Sequence, residues 1–225
     1  MGAYGLSKAN RLYWLGRYAE RAFTVIECME VAYDRALDGP PFDYENWCRR
    51  LEIPCDYESS DEFFRSYLFD AANFDSAAAC LDYAFDNAIV LRDIITSRTL
   101  SYVQLAKNVM DNAKASIAPV LDLQSICDYL MAFKGCVDEF VIDEDNRMVI
   151  KCGFTVERID LCLRLDYKLD ELDKEFARLE SRLRRTHVAR DAVRLRLLLA
   201  LVPNPDPARN KDILLECVEN LFPDA

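Results

Sequence analysis

Apolar side chains recur at three- and four-residue steps along most of the chain, which is the spacing of one face of an α-helix. The first stripe predicts a helix that begins with an N-cap at Ser7 and ends at Gly39-Pro40-Pro41. A shorter helical pattern covers residues 44–51. The stretch that follows is interrupted by Pro54 and a polar run, so we interpret it as an irregular excursion between helices.

The same spacing continues to the end of the chain and predicts further long helices. They cover residues 77–95 (capped by Asn73 or Asp75), 99–114, 119–142, 148–172 with a continuation or restart to 201, and 211–221. A turn at Thr96-Ser97, a connector at 143–147 and the prolines at 203, 205 and 207 separate them. Only six Gly and eight Pro are present, too few for a many-stranded sandwich or barrel. We therefore predict an all-α fold, an antiparallel helical bundle that forms a single domain over residues 1–225.

A short polar motif occurs twice. The copies are Gly16-x-x-x-Glu20-Arg21 and Gly153-x-x-x-Glu157-Arg158, offset by 153 − 16 = 137 residues. A glycine and a glutamate four residues later share one helical face, so the missing side chain lets another backbone approach beside the carboxylate. We predict that the copies belong to two motif halves, about 6–115 and 119–222, whose Glu-Arg helices face each other about a pseudo-twofold axis.

Further polar residues lie at helical spacing from these motifs, namely Arg17, Asp160 and Arg164. Buried arginine and glutamate are costly unless they are paired, so the cluster is either a satisfied structural network or a pocket for a charged ligand. Guanidinium groups match carboxylates and phosphates, which makes Arg17, Arg21 and Arg158 candidate ligand anchors. As a third alternative, Glu20 or Glu157 acts as a general acid or base; burial would raise its pKa and nearby arginines would lower it.

Composition excludes several classes of function. With 28 Lys and Arg against 39 Asp and Glu, the net charge is −11, which argues against general nucleic-acid binding. We expect no membrane span and no signal peptide, and scattered cysteines without a Cys-x-x-Cys pair indicate a cytoplasmic protein with reduced thiols. His187 is the only histidine, and the glycines form no phosphate-binding loop, so we predict no metal site and no cofactor.

One segment reverses the acidic charge. Residues 174–196 contain eight basic residues: Lys174, Arg178, Arg182, Arg184, Arg185, Arg190, Arg194 and Arg196. This segment is either a solvated helix face with ion pairs at turn spacing, or a docking surface from Arg178 to Arg196 for an acidic partner or a phosphorylated ligand. The charge pattern alone does not choose between them.

Three segments resemble a known family. LSKANRLYWLGRYAERA at 6–22 closely resembles the opening motif of the bacterial alpha-E domain family, and GFTVERIDLCLRLD at 153–166 resembles a later motif of that family. Between them, DNAIVLRDIITS places Asn87 and Arg92 on the positions of an Asn-Ala-x-x-x-Arg segment. Phe154 stands where many relatives have Arg, so only the first copy retains that guanidinium, at Arg17. The chain is also shorter than typical members.

The resemblance implies an all-helical protein that occurs beside circularly permuted ATP-grasp proteins similar to peptide ligases, and beside transglutaminase-like proteins. The expected function is therefore that of an accessory subunit in peptide synthesis or modification, with the Glu-Arg cluster holding a carboxylate or peptide. The alternatives are a stand-alone enzyme that uses Glu20 or Glu157, and a purely structural helical scaffold. A cavity lined by Glu20, Arg17, Arg158 and Asn87 would favour ligand binding or catalysis.

Overall fold

The chain is helical through most of its described length. The computed structural model describes residues 3–114, 119–201 and 210–222, and in these ranges it contains ten α-helices, one 3-10 turn and no strand. The helices are α1 (Ala3–Asp38), α2 (Tyr44–Leu51), α3 (Ser60–Phe69), α4 (Ala77–Val90), α5 (Arg92–Ala113), α6 (Pro119–Phe140), α7 (Glu144–Leu165), α8 (Leu172–Leu183), α9 (Ala192–Leu201) and α10 (Lys211–Glu219). The predicted all-α helical bundle is confirmed. None of the described helices has both the length and the apolar composition that crossing a bilayer requires.

Several helix ends differ from the prediction. Helix α1 begins at Ala3, so Ser7 lies inside it, because the single Gly5 costs about 1 kcal/mol and does not stop a 36-residue helix. Ser76, not Asn73 or Asp75, caps α4 by accepting a hydrogen bond from the amide of Ala79 at 2.9 Å. The helix end predicted at the prolines 203, 205 and 207 lies outside the described residues.

The prediction of a connector at residues 143–147 is wrong. Asp143 is the N-cap of α7 and accepts a hydrogen bond from the amide of Asn146 at 2.8 Å, so this acidic stretch forms the first turn of the helix. Acidic side chains stabilise a helix N-terminus, which explains why a run that reads as a loop starts a helix. Helix α7 then ends at Leu165, because Asp166 and Lys168 adopt left-handed backbone conformations.

The structure divides into two compact units that do not coincide with the two motif halves. The terminal unit contains residues 1–17 and 141–225, and the middle unit contains residues 18–140. In the middle unit, α5 packs along α6 and α4 packs on α5, so α6 belongs with the helices that precede it. In the terminal unit, α7 packs against α8 and α10, and most of its residues are buried.

Helix α5 contains a strained residue at the position where a turn is predicted. Thr96 has φ 73° and ψ 153°, a region that is almost restricted to glycine and that costs a β-branched residue about 1–3 kcal/mol. Its hydroxyl accepts a weak hydrogen bond from the amide of Thr99 at 3.5 Å and so caps the second part of the helix. The predicted turn at Thr96-Ser97 is therefore a kink within α5.

Replacing Thr96 by Gly is expected to stabilise the protein by about 1 kcal/mol, because the relief of backbone strain exceeds the few tenths lost from the cap. Ser97→Gly is the matched control: Ser97 is helical, so glycine there should destabilise the protein by about 0.5 kcal/mol. Urea denaturation followed by circular dichroism measures both changes. Equal destabilisation by the two substitutions would show that Thr96 is not strained.

Candidate functional site

The two repeat glycines lie at a close contact between α1 and α7 within the terminal unit. A Cβ atom on Gly16 would stand 2.2 Å from the carbonyl oxygen of Ile150, and one on Gly153 would stand 2.2 Å from the carbonyl oxygen of Tyr13. Both obstacles are backbone atoms, which cannot rotate away as a side chain can. The predicted close backbone approach at these glycines is confirmed, whereas the pseudo-twofold axis stays a prediction.

Beside this contact, Arg17, which directly follows the first repeat glycine, contacts the glutamate of the second copy. Arg17 Nε donates to Glu157 Oε2 at 2.5 Å, and the two side chains are only 8% and 1% exposed. Arg17 Nη1 also donates to the phenol oxygen of Tyr13 at 3.5 Å, and its guanidinium carbon lies 5.2 Å from the centroid of the Trp14 ring. Arg17 is therefore held by contacts that include a buried carboxylate and two aromatic rings.

Tyr13 is a neutral partner in this cluster. Burial raises the pKa of Tyr13 to about 12, although the positive charge of Arg17 acts in the opposite direction. A phenol that stays protonated at physiological pH adds no negative charge, so in these contacts Glu157, and not Tyr13, supplies a negative charge to Arg17. The pair fits the structural network that the sequence left as one alternative.

The first glutamate of the repeat has a partner that the sequence did not suggest. Lys134 Nζ, on α6 of the middle unit, lies 2.8 Å from Glu20 Oε2, and Thr24 Oγ1 donates to Glu20 Oε1 at 3.4 Å. The same ammonium lies 3.6 Å from the centroid of the Phe23 ring, a cation–π contact. Lys134 is the only basic residue in α6, and it follows the buried Phe133, a signal that could have identified it.

The other predicted ligands of the second motif are also held within the terminal unit. Arg158 Nη1 donates to Glu175 Oε1 of α8 at 3.1 Å. Arg164 Nε donates to the buried Asp160 at 3.2 Å, and Arg164 also pairs with Glu219 of α10. The contacts of Arg158 and Arg164 join α7 to α8 and α10, so these two arginines stabilise helix packing.

Besides Glu20, three predicted site residues lie in the middle unit. Asn87 donates to the carbonyl oxygen of Tyr83 at 3.0 Å, one turn back in α4. Arg92 is exposed at the start of α5, where it lines a surface depression of about 330 Å³. Arg21 is half-buried, and its charge partly offsets the burial that raises the pKa of Tyr67. The cavity predicted between Glu20, Arg17, Arg158 and Asn87 draws on both units and stays a prediction.

The basic segment at 174–196 is largely paired within its own unit. Its contacts are Arg178 with Glu175, Arg184 with Glu180, Arg185 with Glu144, Arg194 with Asp191, Arg182 with the carbonyl oxygen of Lys151, and Arg190 with that of Thr186. This pattern favours a solvated face with ion pairs, and the acidic partner stays a prediction. Among residues 3–114, 119–201 and 210–222, no group of three or more His, Cys, Asp or Glu is placed to hold a metal ion.

Comparison with known proteins gives one family match. Residues 7–203 match the family model named Alpha-E, described as a predicted alpha-helical domain with a conserved ER motif. Both Glu-Arg dipeptides of the repeat lie inside the matched range. No curated protein and no solved structure matches the chain.

Proposed function

Because the chain belongs to the Alpha-E family, we propose that it is an accessory helical subunit of a peptide synthesis or peptide modification system. In this proposal an ATP-grasp ligase-like partner activates a carboxylate, and this chain binds the carboxylate or the peptide that carries it. A transglutaminase-like protein is a second partner in the same cytoplasmic system. The partners are those that the family resemblance implies, and the pairing of both repeat glutamates supports a binding role for this chain.

The observation that carries the proposal is that each glutamate of the repeat is buried and paired with a cation. Glu157 accepts a hydrogen bond from Arg17 at 2.5 Å, and Glu20 lies 2.8 Å from Lys134. When a glutamate in such a pair takes up a proton from a substrate, it loses the charge that compensates its buried cation, and this opposes a role as a general base. The pairing supports a binding or organising role over a stand-alone enzyme that uses Glu20 or Glu157.

Lys134 is the better candidate to contact a ligand carboxylate. Arg17 is fixed by a carboxylate and two aromatic rings, whereas the Lys134 ammonium sits on a flexible four-carbon chain and has three donors, so it can contact a ligand carboxylate while it stays paired with Glu20. Its neighbour Phe23 gives the ammonium a further favourable contact.

The test combines this chain with a circularly permuted ATP-grasp protein of the same organism and measures ADP release that depends on an added amino acid or peptide. We expect release to require this chain and to fall when Lys134→Met replaces the wild type, with partial recovery in Lys134→Arg. Lys107→Met is the matched control, since Lys107 also pairs with an acid, Asp82, in the middle unit. Melting curves verify that each variant is folded.

Each result separates the alternatives. Equal ADP release with and without this chain would reject the accessory role. Peptide turnover by this chain alone would favour the stand-alone enzyme. Full stimulation by a folded Lys134→Met variant would favour the purely structural scaffold.

A further inference from the structure

Helix α9 is apolar on the side that faces solvent. Its sequence, AVRLRLLLAL, contains two arginines and otherwise only apolar residues, yet Leu198 is the residue of this helix that is buried. Val193 is 66% exposed and Leu197 is 40% exposed. Together with the exposed Arg196 and Ala200 they occupy positions i, i+4, i+3 and i+7, which form one helical stripe. We call these four residues the α9 outer stripe.

This arrangement differs from that of a normal surface helix, because apolar residues lie on the exposed side of α9 as well as on its buried side. A normal surface helix turns its apolar stripe to the core and its polar residues to water, and a helix that is apolar all round is normally buried. Contiguous exposed apolar side chains mark interaction surfaces more often than isolated ones do. The α9 outer stripe therefore indicates an interaction surface.

The neighbouring helix shows a face of the opposite charge. Helix α10 packs on α9 in the terminal unit and exposes Asp212, Ile213 and Glu216, with Ile213 45% exposed. We call these three residues the α10 outer stripe. Within the described parts of the chain, neither Asp212 nor Glu216 forms an ion pair, and the same holds for Arg196. One stripe combines apolar residues with a cation, and the other combines an apolar residue with two acids.

We propose that this surface binds a second copy of the chain, with the α9 outer stripe of each copy on the α10 outer stripe of the other. A twofold axis forms both contacts at once, because each copy offers both faces. In a protein with a net charge of −11, two copies repel each other in general. Arg196 supplies the local positive charge that a contact with Glu216 and Asp212 requires, and Val193 and Leu197 meet Ile213.

The size of the surface sets the affinity that we expect. Helices of ten and nine residues are each about 15 Å long, so the buried area falls below the roughly 800 Å² per partner of a standard interface. Such contacts give weak, reversible association. The dimer should therefore form in the micromolar range of protein concentration.

Sedimentation velocity over a range of concentrations, from low micromolar to several hundred micromolar, tests the proposal. Wild type should shift from monomer to dimer, and Leu197→Glu should raise the dissociation constant by about tenfold or more. Leu105→Glu is the matched control, because Leu105 is 38% exposed on α5 of the middle unit and should leave association unchanged. A monomer at every concentration, or equal effects of the two substitutions, would overturn the proposal.

A charge exchange tests the orientation of the two helices. Arg196→Glu alone and Glu216→Arg alone should each weaken the dimer several-fold, because each places like charges across the contact. The double variant should restore the dissociation constant to near its wild-type value. If the double variant is as weak as the single variants, the proposed pairing of α9 with α10 is wrong.

Discussion

Gly16→Ala is expected to destabilise the protein by about 3 kcal/mol or more, although it adds a single methyl group. The new Cβ would lie 2.2 Å from the carbonyl oxygen of Ile150, so α1 and α7 must separate at this contact. Separation also weakens the ion pair between Arg17 and Glu157, which joins the same two helices beside it. The loss therefore includes both the close backbone packing and part of a buried ion pair.

Gly135→Ala is the matched control for this substitution. Gly135 lies inside α6, and a Cβ there meets no atom within 4 Å. Alanine at such a site should stabilise the protein by about 0.5–1 kcal/mol, because glycine disfavours the helix interior. The same chemical change is thus expected to have opposite signs at the two positions.

The two tryptophans allow the effect to be assigned to a unit. The chain contains Trp14 in the terminal unit and Trp47 in the middle unit, and no other. In a Trp47→Phe background, urea denaturation followed by fluorescence reports the surroundings of Trp14. Gly16→Ala should lower that midpoint and Gly135→Ala should not. A midpoint that Gly16→Ala leaves unchanged would contradict the close contact between α1 and α7.

Helix existence could largely be predicted from the sequence, because it depends on local periodicity. Helix α2 occupies the predicted residues 44–51, and α6 begins at the predicted Pro119. The interpretation of the segment after Pro54 as an irregular excursion is wrong for α3, because the polar run there begins a helix and the buried Phe63, Tyr67 and Leu68 recur at helical spacing. The start of α3 has the Ser-x-x-Glu pattern of a capping box: Ser59 accepts from the amide of Glu62, and Glu62 accepts from the amide of Glu58, one residue before the cap.

The polar cluster was less predictable, because its pairs join residues that are distant in sequence. The repeat predicted the approach at Gly16 and Gly153, since a glycine directly reports a lack of space. The partner of Glu20 was missed because Lys134 lies 114 residues away on a helix outside both motifs (134 − 20 = 114). A charged side chain shows that it needs a partner and does not show which element supplies it.

The second large effect is expected for Glu157→Gln. The substitution preserves the shape of the side chain and removes its charge, which leaves the guanidinium of Arg17 buried without its carboxylate. Breaking a buried pair in this way costs about 3–5 kcal/mol. Glu180→Gln is the matched control, since Glu180 pairs with Arg184 on the exposed face of α8, and removing it should cost less than about 1 kcal/mol.

A double substitution distinguishes the loss of a partner from the value of the pair. Replacing Arg17 by Met together with Glu157→Leu removes both charges and fills the space with apolar atoms. The double variant should recover most of the stability that Glu157→Gln loses, because both buried charges of this pair are then removed together. Urea denaturation followed through Trp14 in the Trp47→Phe background gives the free energies of unfolding of the parent protein, Glu157→Gln and the double variant. If the double variant is at least as unstable as Glu157→Gln, the pair contributes through its own attraction, and the cluster is more than a means of joining α1 to α7.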